Sequence, residues 1–268
     1  MEASTRLPTL FIPHGGGPCF FMDPPPSHPH LWDATADYLR RIAASLPQRP
    51  KAILMISGHW ETPNPTLNTA AQPGLLFDYY GFPEHTYRLT YPAPGAPWLA
   101  ARVKGLLETA GMTVDTDDQR GWDHGVFIPM MLICPEADVP ILQLSLQASL
   151  DPQAHLAMGR ALAPLRDEGV LIIGSGMSFH NLRTFFAPTG GLEAEAFDGW
   201  LTRAVEHPAR RDDDLIHWSS APHARASHPR EEHLVPIMVA AGAAEGEVGA
   251  RTFKDHIFNK AISGFQFG

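Results

Sequence analysis

The 268-residue chain is poor in cysteine, in lysine and in long apolar runs. Its two cysteines, Cys19 and Cys134, are too few for a disulfide framework, and we expect both to be small buried side chains. No apolar run approaches the ~18 residues that a membrane helix needs. The amino terminus lacks the apolar region and the cleavage site of a signal peptide. These absences favour a cytoplasmic protein without a membrane span.

Positive charge is also scarce. Lysine and arginine total 20 against 29 aspartates and glutamates, which gives a formal net charge of −9. Because phosphate binding needs clustered basic residues, we expect no nucleic-acid partner. Motifs of several other enzyme classes are missing as well: there is no Walker loop, no G-x-S-x-G elbow and no H-E-x-x-H zinc motif.

The apolar residues, 44% of the chain, are arranged as short runs that alternate with helical patterns. Apolar runs bounded by turn residues predict buried strands at 9–13, 52–57, 140–144 and 170–174. Periodicity near 3.6 predicts helices at 33–46, 96–110, 126–133, 152–167, 192–205 and 231–241. This alternation predicts an α/β fold: a single domain, residues 1–268, with a mostly parallel central sheet flanked by helices. Only weak strand patterns follow the last helix.

Histidine, by contrast, is abundant, with 14 in the chain. Three predicted strands are each followed by a histidine near glycines: His14 in PHGGG, His59 in SGHWE and His180 in GSGMSFHN. Ligands of open α/β sheets bind outside the carboxyl ends of the strands. Three such placements in parallel indicate a metal site at that edge of the sheet.

Further histidines precede predicted helices at the same edge. His124 lies in WDHG, and His228 and His233 bound the segment HPREEH. With so few cysteines, any metal should be held by imidazole nitrogen and by oxygen. The residues alone leave open which of these histidines bind it.

Six segments, in this order along the chain, carry a family resemblance. Together they resemble the 4,5-DOPA extradiol dioxygenase family, class III ring-opening dioxygenases related to the catalytic subunit of protocatechuate 4,5-dioxygenase. The segments are PHGGGP at 13–18, SGHWE at 57–61, YGFPEHTYRLTYPAPG at 80–95, WDHGVFIP at 122–129, GSGMSFHNLR at 174–183 and HPREEHLVP at 228–236.

The resemblance implies a non-haem Fe(II) site that opens a catechol ring with O2 and inserts both oxygen atoms. It implies that His14, His59 and His233 bind the metal, His233 being preferred to His228. His180 matches an acid–base catalyst that sometimes coordinates the metal as well. His124 matches a residue that faces the substrate.

The identity of the metal stays open at this point. Three neutral imidazoles fit Zn(II) as well as Fe(II), so we expect Fe(II) for activity and Zn(II) in the isolated protein. Glu231 and Glu232 could add a carboxylate, but their position predicts a solvated first helical turn instead. Two alternative functions follow: a zinc-dependent hydrolase on the same scaffold, or a non-enzymatic metal-binding interaction protein.

The substrate is the least determined feature. Trp60, Trp122, Tyr79, Tyr80 and Tyr91 are candidates for the walls of an aromatic pocket, with core or loop packing as the alternative. Two arginines near the predicted ligands, Arg183 and Arg230, are candidates for binding a substrate carboxylate. The Pro-rich and aromatic loops permit a homodimer.

Overall fold

The computed structural model describes residues 6–268, which form one eight-stranded sheet with helices on both faces. The strands are β1 Thr9–Pro13, β2 Ala52–Thr62, β3 Thr66–Asn68, β4 Asp115–Asp117, β5 Ile141–Gln147, β6 Val170–Gly176, β7 Gly249–Ile257 and β8 Lys260–Phe267. Their order is β4-β3-β5-β2-β6-β1-β8-β7. The central strands β5, β2, β6 and β1 pair in parallel, whereas β8 and β7 add an antiparallel hairpin at one edge. The predicted fold class is confirmed.

The helices run as α1 Asp33–Ser45, α2 Pro97–Thr109, α3 His124–Ile133, α4 Pro152–Leu162, α5 Leu182–Phe185, α6 Gly191–Glu206, α7 Pro208–Ile216, α8 Ala224–Ser227 and α9 Pro236–Ala243. None of them, within residues 6–268, is long and apolar enough to cross a bilayer. The start of α4 follows from local chemistry, because the Asp151 carboxylate accepts hydrogen bonds from two free backbone N–H groups of the first turn.

The sheet separates two apolar cores. Successive residues of a strand point to opposite faces, so the almost uninterrupted apolar run of β2 supplies both layers. Ile53 and Met55 face the core beneath α1 and α3, while Leu54 and Ile56 face the core that α2, α4 and α9 cover. With both faces covered, the carboxyl ends of the central strands are the edge at which parallel strands deliver polar side chains.

The structure differs from the sequence prediction at two places near that edge. Strand β2 continues to Thr62, so His59 lies within the strand and not beyond its end. The helix predicted from residue 231 begins only at Pro236, since residues 228–235 pack as a loop against β6 before proline opens α9.

The last part of the chain contains more regular structure than the sequence predicted. The weak carboxyl-terminal patterns are the β7–β8 hairpin, and the polar stretch after residue 205 contains α7. Cys19 is buried as expected, whereas Cys134 is half-buried.

Candidate metal centre

Three histidines from different segments meet at the carboxyl edge of the central strands. His14 directly follows β1, His59 lies within β2, and His233 lies in the loop before α9. His59 Nε2 is 3.1 Å from His14 Nε2 and 3.1 Å from His233 Nε2. Two nitrogens bound to one ion at ~2.1 Å lie ~3.0–3.4 Å apart, so the observed spacing suits a single ion. These side chains form a group that could hold a metal.

Two glycines let the backbone bring these segments together. Gly15 has φ +84°, and a Cβ there would lie 2.4 Å from Cys19 Sγ, so the turn after His14 requires glycine. A Cβ on Gly176 would lie 2.1 Å from the His233 carbonyl oxygen. The next residue, Met177, donates its backbone N–H to the same carbonyl at 3.0 Å. The loop carrying His233 is thereby fixed against the end of β6.

The Nδ1 atoms of His14 and His233 lie on the outside of the cluster, and their hydrogen bonds set the tautomers of the two rings. His14 Nδ1 lies 3.0 Å from Ser175 Oγ, whose own proton goes to the Gly125 carbonyl, so His14 Nδ1 is the donor. His233 Nδ1 lies 3.0 Å from Glu232 Oε1 and donates to that carboxylate. In both rings the proton sits on Nδ1, which leaves the Nε2 lone pair directed at the common centre.

The electrostatics of the cluster favour neutral rings. Burial, followed by the proximity of the other imidazoles, holds the pKa of His14 and of His233 well below the ordinary value. The same two causes lower the pKa of His59 to about 4. At neutral pH the three rings therefore present lone pairs, which is the ligand form of imidazole.

The Glu232 carboxylate joins His233 to His180. Its Oε1 lies 3.1 Å from His180 Nδ1, and only 16% of the Glu232 side chain is exposed. Burial raises the pKa of Glu232, but the hydrogen bond from His180, a backbone hydrogen bond and the charges of His180 and Arg230 together outweigh burial, and the net shift is downward. The expectation of a solvated helical turn was therefore wrong for Glu232, because this residue precedes the helix and its side chain packs into the site. Glu231 instead pairs with Arg225 at the surface.

His124 has a similar carboxylate partner, Asp78. His124 Nδ1 lies 2.8 Å from Asp78 Oδ1, which also accepts the backbone N–H of His124 at 3.0 Å. The other oxygen, Asp78 Oδ2, lies 3.5 Å from His59 Nδ1. Burial raises the pKa of Asp78, but its contacts with His124 and His59 lower it further than burial raises it. The sequence analysis missed Asp78, which precedes a quoted segment by two residues and belongs to no recognisable motif.

A third carboxylate, Asp123, is fully buried beneath the cluster. It accepts hydrogen bonds from Ser57 Oγ at 2.7 Å and from Gln143 Nε2 at 2.5 Å, and Arg120 lies 3.3 Å away. These contacts tie the strand that carries His59 to the start of the helix that carries His124. The network fixes the positions of both rings.

A cavity of about 390 Å³ opens directly above the cluster. Its floor contains five histidines: His14, His59, His124, His180 and His233. Its walls are apolar and aromatic. All five predicted site histidines thus lie at one cavity, although within residues 6–268 His180 is not part of the group formed by His14, His59 and His233.

Other candidates from the sequence lie elsewhere. His228 is fully buried and its Nε2 lies 2.9 Å from the Ser178 carbonyl oxygen, away from the three-histidine group. Trp60 and Trp122 are core residues, and Tyr80 is 90% exposed. Among the described residues that line the cavity there is no tyrosine, and Trp60 and Trp122 are not among them either.

The two candidate arginines are likewise outside the cavity wall, as far as residues 6–268 are concerned. Arg230 forms a two-pronged ion pair with Glu61 and lies 3.6 Å from Glu232. Arg183 is exposed on α5. The structure therefore does not place either guanidinium where a substrate carboxylate would meet it.

Comparisons with known proteins agree with this geometry. Residues 8–266 match the family described as the catalytic LigB subunit of aromatic ring-opening dioxygenase. The dioxygenase tasH of Hapsidospora irregularis is 40% identical, over 99% of this chain and 88% of that protein. The 4,5-DOPA dioxygenase extradiol of Beta vulgaris is 41% identical, over 88% of this chain and 86% of that protein. The crystal structure of an uncharacterized protein from Escherichia coli K12 matches with a TM-score of 0.78 and 28% identity, over 98% of this chain and 100% of that one.

Proposed function

Because the chain belongs to the LigB family of aromatic ring-opening dioxygenases, we propose that it uses Fe(II) and O2 to open the ring of a catechol. As a family member it is an oxidoreductase that incorporates molecular oxygen. This separates it from the zinc hydrolase and the non-enzymatic binding protein that the residues alone left open. We further propose that residues 1–268 form one catalytic domain that acts in the cytoplasm, and that a homodimer is compatible with its loops.

The observation that carries the proposal is the set of imidazole nitrogens at the floor of an apolar cavity. His14, His59 and His233 would hold the ion, since their Nε2 atoms converge and their outer nitrogens face oxygen. Imidazole suits Fe(II) and Zn(II) alike, and Zn(II) is the proposed occupant after aerobic isolation. A bound Fe(II) would supply Lewis acidity toward the catechol hydroxyls and the one-electron chemistry that O2 requires.

His180 is the proposed proton acceptor. Because its Nδ1–H is directed to Glu232, the lone pair of a neutral ring is on Nε2. His180 lines the cavity, where Nε2 can take the proton of a substrate hydroxyl and return it later. The Glu232 carboxylate then stabilises the imidazolium that forms, as a carboxylate behind a catalytic histidine does in general. Glu232 is thus a positioning residue.

His124 is the proposed second acid–base group. Its Nδ1–H is directed to Asp78, so the lone pair of the neutral ring is on Nε2, and the ring lies 4.0 Å from that of His59 between centroids. A catechol held at the cluster would have one histidine on either side, His180 beside His233 and His124 beside His59. The apolar walls exclude water from this space, which strengthens each of these hydrogen bonds.

The test is anaerobic loading with Fe(II), followed by O2 and a panel of catechols. Ring opening beside the two hydroxyls gives a yellow semialdehyde, and oxygen consumption should match product one to one. A zinc-loaded sample serves as the control and should be inactive. Turnover by the zinc form under strict anaerobiosis would support the hydrolase instead, and absence of any ring-opened product from the iron form would overturn the proposal.

A further inference from the structure

The geometry points to a specific substrate class: a catechol whose ring carries an uncharged, apolar group about the size of a second aromatic ring. This inference rests on the ring-opening activity proposed above and concerns what the rest of the cavity binds. It follows from the size of the cavity, from the residues of its wall and from the positions of the nearby cations.

The cavity is larger than one catechol ring requires. A cavity of ~150 Å³ accommodates benzene, whereas this one measures about 390 Å³. With the two hydroxyls at the histidine floor, the remaining volume extends toward the mouth. It has room for a further group of ring size.

The wall around that volume is aromatic. Its large apolar members include Trp32, Phe82, Leu182, Phe185, Phe186 and Phe258. Three of these pack edge to face as one unit: Phe186 and Phe258 have ring centroids 5.3 Å apart, and Phe185 lies 5.4 Å from Phe186. Such a surface binds an aryl or alkyl group well, because aromatic pairs add to the effect of apolar burial.

Phe258, which carries one ring of this wall, has an unfavourable backbone conformation. It forms, with Asn259, the two-residue turn of the β7–β8 hairpin, and both have positive φ, +46° and +63°. Asparagine and glycine favour such a turn, whereas a bulky residue at the first position is unfavourable. Lys260 fixes the turn by donating from Nζ to the carbonyls of Ala187 and Phe258. A strained phenylalanine that lines the cavity indicates selection for its ring.

Among the described residues, the cavity wall offers no cation to an anionic substituent. Within residues 6–268, no lysine or arginine lines it. Two nearby cations are engaged elsewhere: Arg230 by Glu61 and Glu232, and Lys260 by the carbonyl oxygens of Ala187 and Phe258. The charged group in the wall is a carboxylate, the exposed Asp23. A substrate carboxylate would lose its hydration here without gaining a counter-charge.

The experiment compares kcat/KM of the iron-loaded enzyme for catechol, 4-propylcatechol, 4-phenylcatechol, 3,4-dihydroxyphenylacetate and dopamine. At about fourfold per buried methylene, 4-propylcatechol should exceed catechol by tens of fold. The kcat/KM for 4-phenylcatechol should equal or exceed that for 4-propylcatechol. The kcat/KM for the anion 3,4-dihydroxyphenylacetate should be lower than that for catechol. A parent enzyme that prefers the anion would overturn the inference, and a preference for dopamine would overturn it in favour of recognition by Asp23.

Two variants sharpen the comparison. Phe186 is 71% exposed, so Phe186→Arg should fold normally while adding a cation at the mouth. It should raise kcat/KM for 3,4-dihydroxyphenylacetate by up to about fivefold, the value of one exposed ion pair, and lower kcat/KM for 4-phenylcatechol. The matched control is Leu192→Arg, an 85% exposed position outside the wall, which should change neither value. Equal effects of the two variants would contradict the assignment of the wall.

Phe258→Asn removes the ring and installs a residue that the turn favours. The ratio of kcat/KM for 4-phenylcatechol to that for catechol should fall about tenfold, without loss of thermal stability. An unchanged ratio would contradict the inference. If no catechol is opened at all, the proposed function fails, but a binding measurement still tests the substrate class. 4-Phenylcatechol should quench the fluorescence of Trp32 more strongly than 3,4-dihydroxyphenylacetate does. The Trp32→Phe variant gives the signal to subtract.

Discussion

His180 and His233 stack with ring centroids 3.5 Å apart and ring planes 17° apart. Both rings direct Nδ1 to the same oxygen of Glu232, at 3.1 and 3.0 Å. One carboxylate therefore sets the tautomer of a proposed metal ligand and of the proposed proton acceptor beside it. The two rings nevertheless differ in position: His233 Nε2 meets the other ligand histidines, whereas among residues 6–268 His180 groups only with Glu232 and His233.

Removing one of the three proposed ligand histidines should weaken metal binding. His14→Ala and His59→Ala each remove one of three imidazoles, and we expect metal affinity to fall at least ~100-fold, beyond the range seen for outer-shell changes. Metal content after dialysis and competition with a chelator measure this. The exposed His217 provides the control, since His217→Ala should keep the metal. Full stoichiometric metal in either ligand variant would disprove the assignment.

His180→Ala should separate catalysis from binding. Because His180 lies outside the three-histidine group, the variant should retain most of its iron while kcat falls about 10²–10⁴-fold. The comparison requires metal content and turnover on the same sample. A large loss of iron would identify His180 as a fourth ligand, and turnover at the parental rate would eliminate its role as proton acceptor.

Glu232→Gln should weaken both functions of the carboxylate. The amide oxygen still accepts a hydrogen bond, but the charge that stabilises an imidazolium is lost, so metal affinity or kcat should fall about 10–100-fold. The pH profile of kcat/KM should shift as well, which a purely structural role would not produce. The neighbouring Glu231→Gln, which alters only the surface pair with Arg225, is the matched control.

Asp78→Asn should impair catalysis through His124, which lies on the His59 side of the cluster. The amide has no negative charge with which to accept the His124 Nδ1–H. Because the ring then loses its fixed tautomer, kcat should fall about 10–100-fold. Folding should be little affected, because the variant is isosteric. Thermal unfolding checks this point, and unchanged kcat/KM over the full pH range would show that Asp78 does not position His124.

Acid should destabilise the metal-free protein through His228. Burial, only partly offset by the hydrogen bond to Ser178, lowers the pKa of His228 to about 4. Its ordinary value in the unfolded chain is ~6.5, so below that pH the unfolded chain binds a proton that the fold excludes. The stabilisation is complete above pH ~6.5 and is lost as the pH falls toward 4, up to about 3 kcal/mol. Urea unfolding between pH 4 and 7 measures it.

The contribution of His228 is isolated by a variant. In His228→Gln the amide can donate to the same carbonyl but does not titrate, so the pH dependence of unfolding should be shallower by about the same amount. The cluster histidines act in the same direction, since their pKa values are also lowered. An identical pH dependence in the parent and the variant would show that His228 binds its proton equally well in the folded and the unfolded chain.

The sequence alone predicted the four central strands and the five histidines that lie at the cavity. The apolar runs at 9–13 and 170–174, which precede His14 and His180, predict strands, and parallel strands present their carboxyl ends at one edge whatever the packing of the helices. The central strands and most helices follow from that local periodicity, and so does the convergence of His14, His59 and His180, whereas the choice of His233 as a ligand followed from the family resemblance. The hairpin at the carboxyl terminus was less predictable, because its strands are half-exposed and their turn contains no glycine.

Only the tertiary structure decided what surrounds each histidine. Asp78 and His124 are 46 residues apart, and Glu232 and His180 are 52 residues apart, so no local pattern joins them. The same holds for Arg230, which the sequence places beside His233 but which Glu61 holds outside the cavity. Strand periodicity is a local property of the chain, whereas tautomer, burial and counter-charge depend on distances between remote segments, which exist only once the chain has folded.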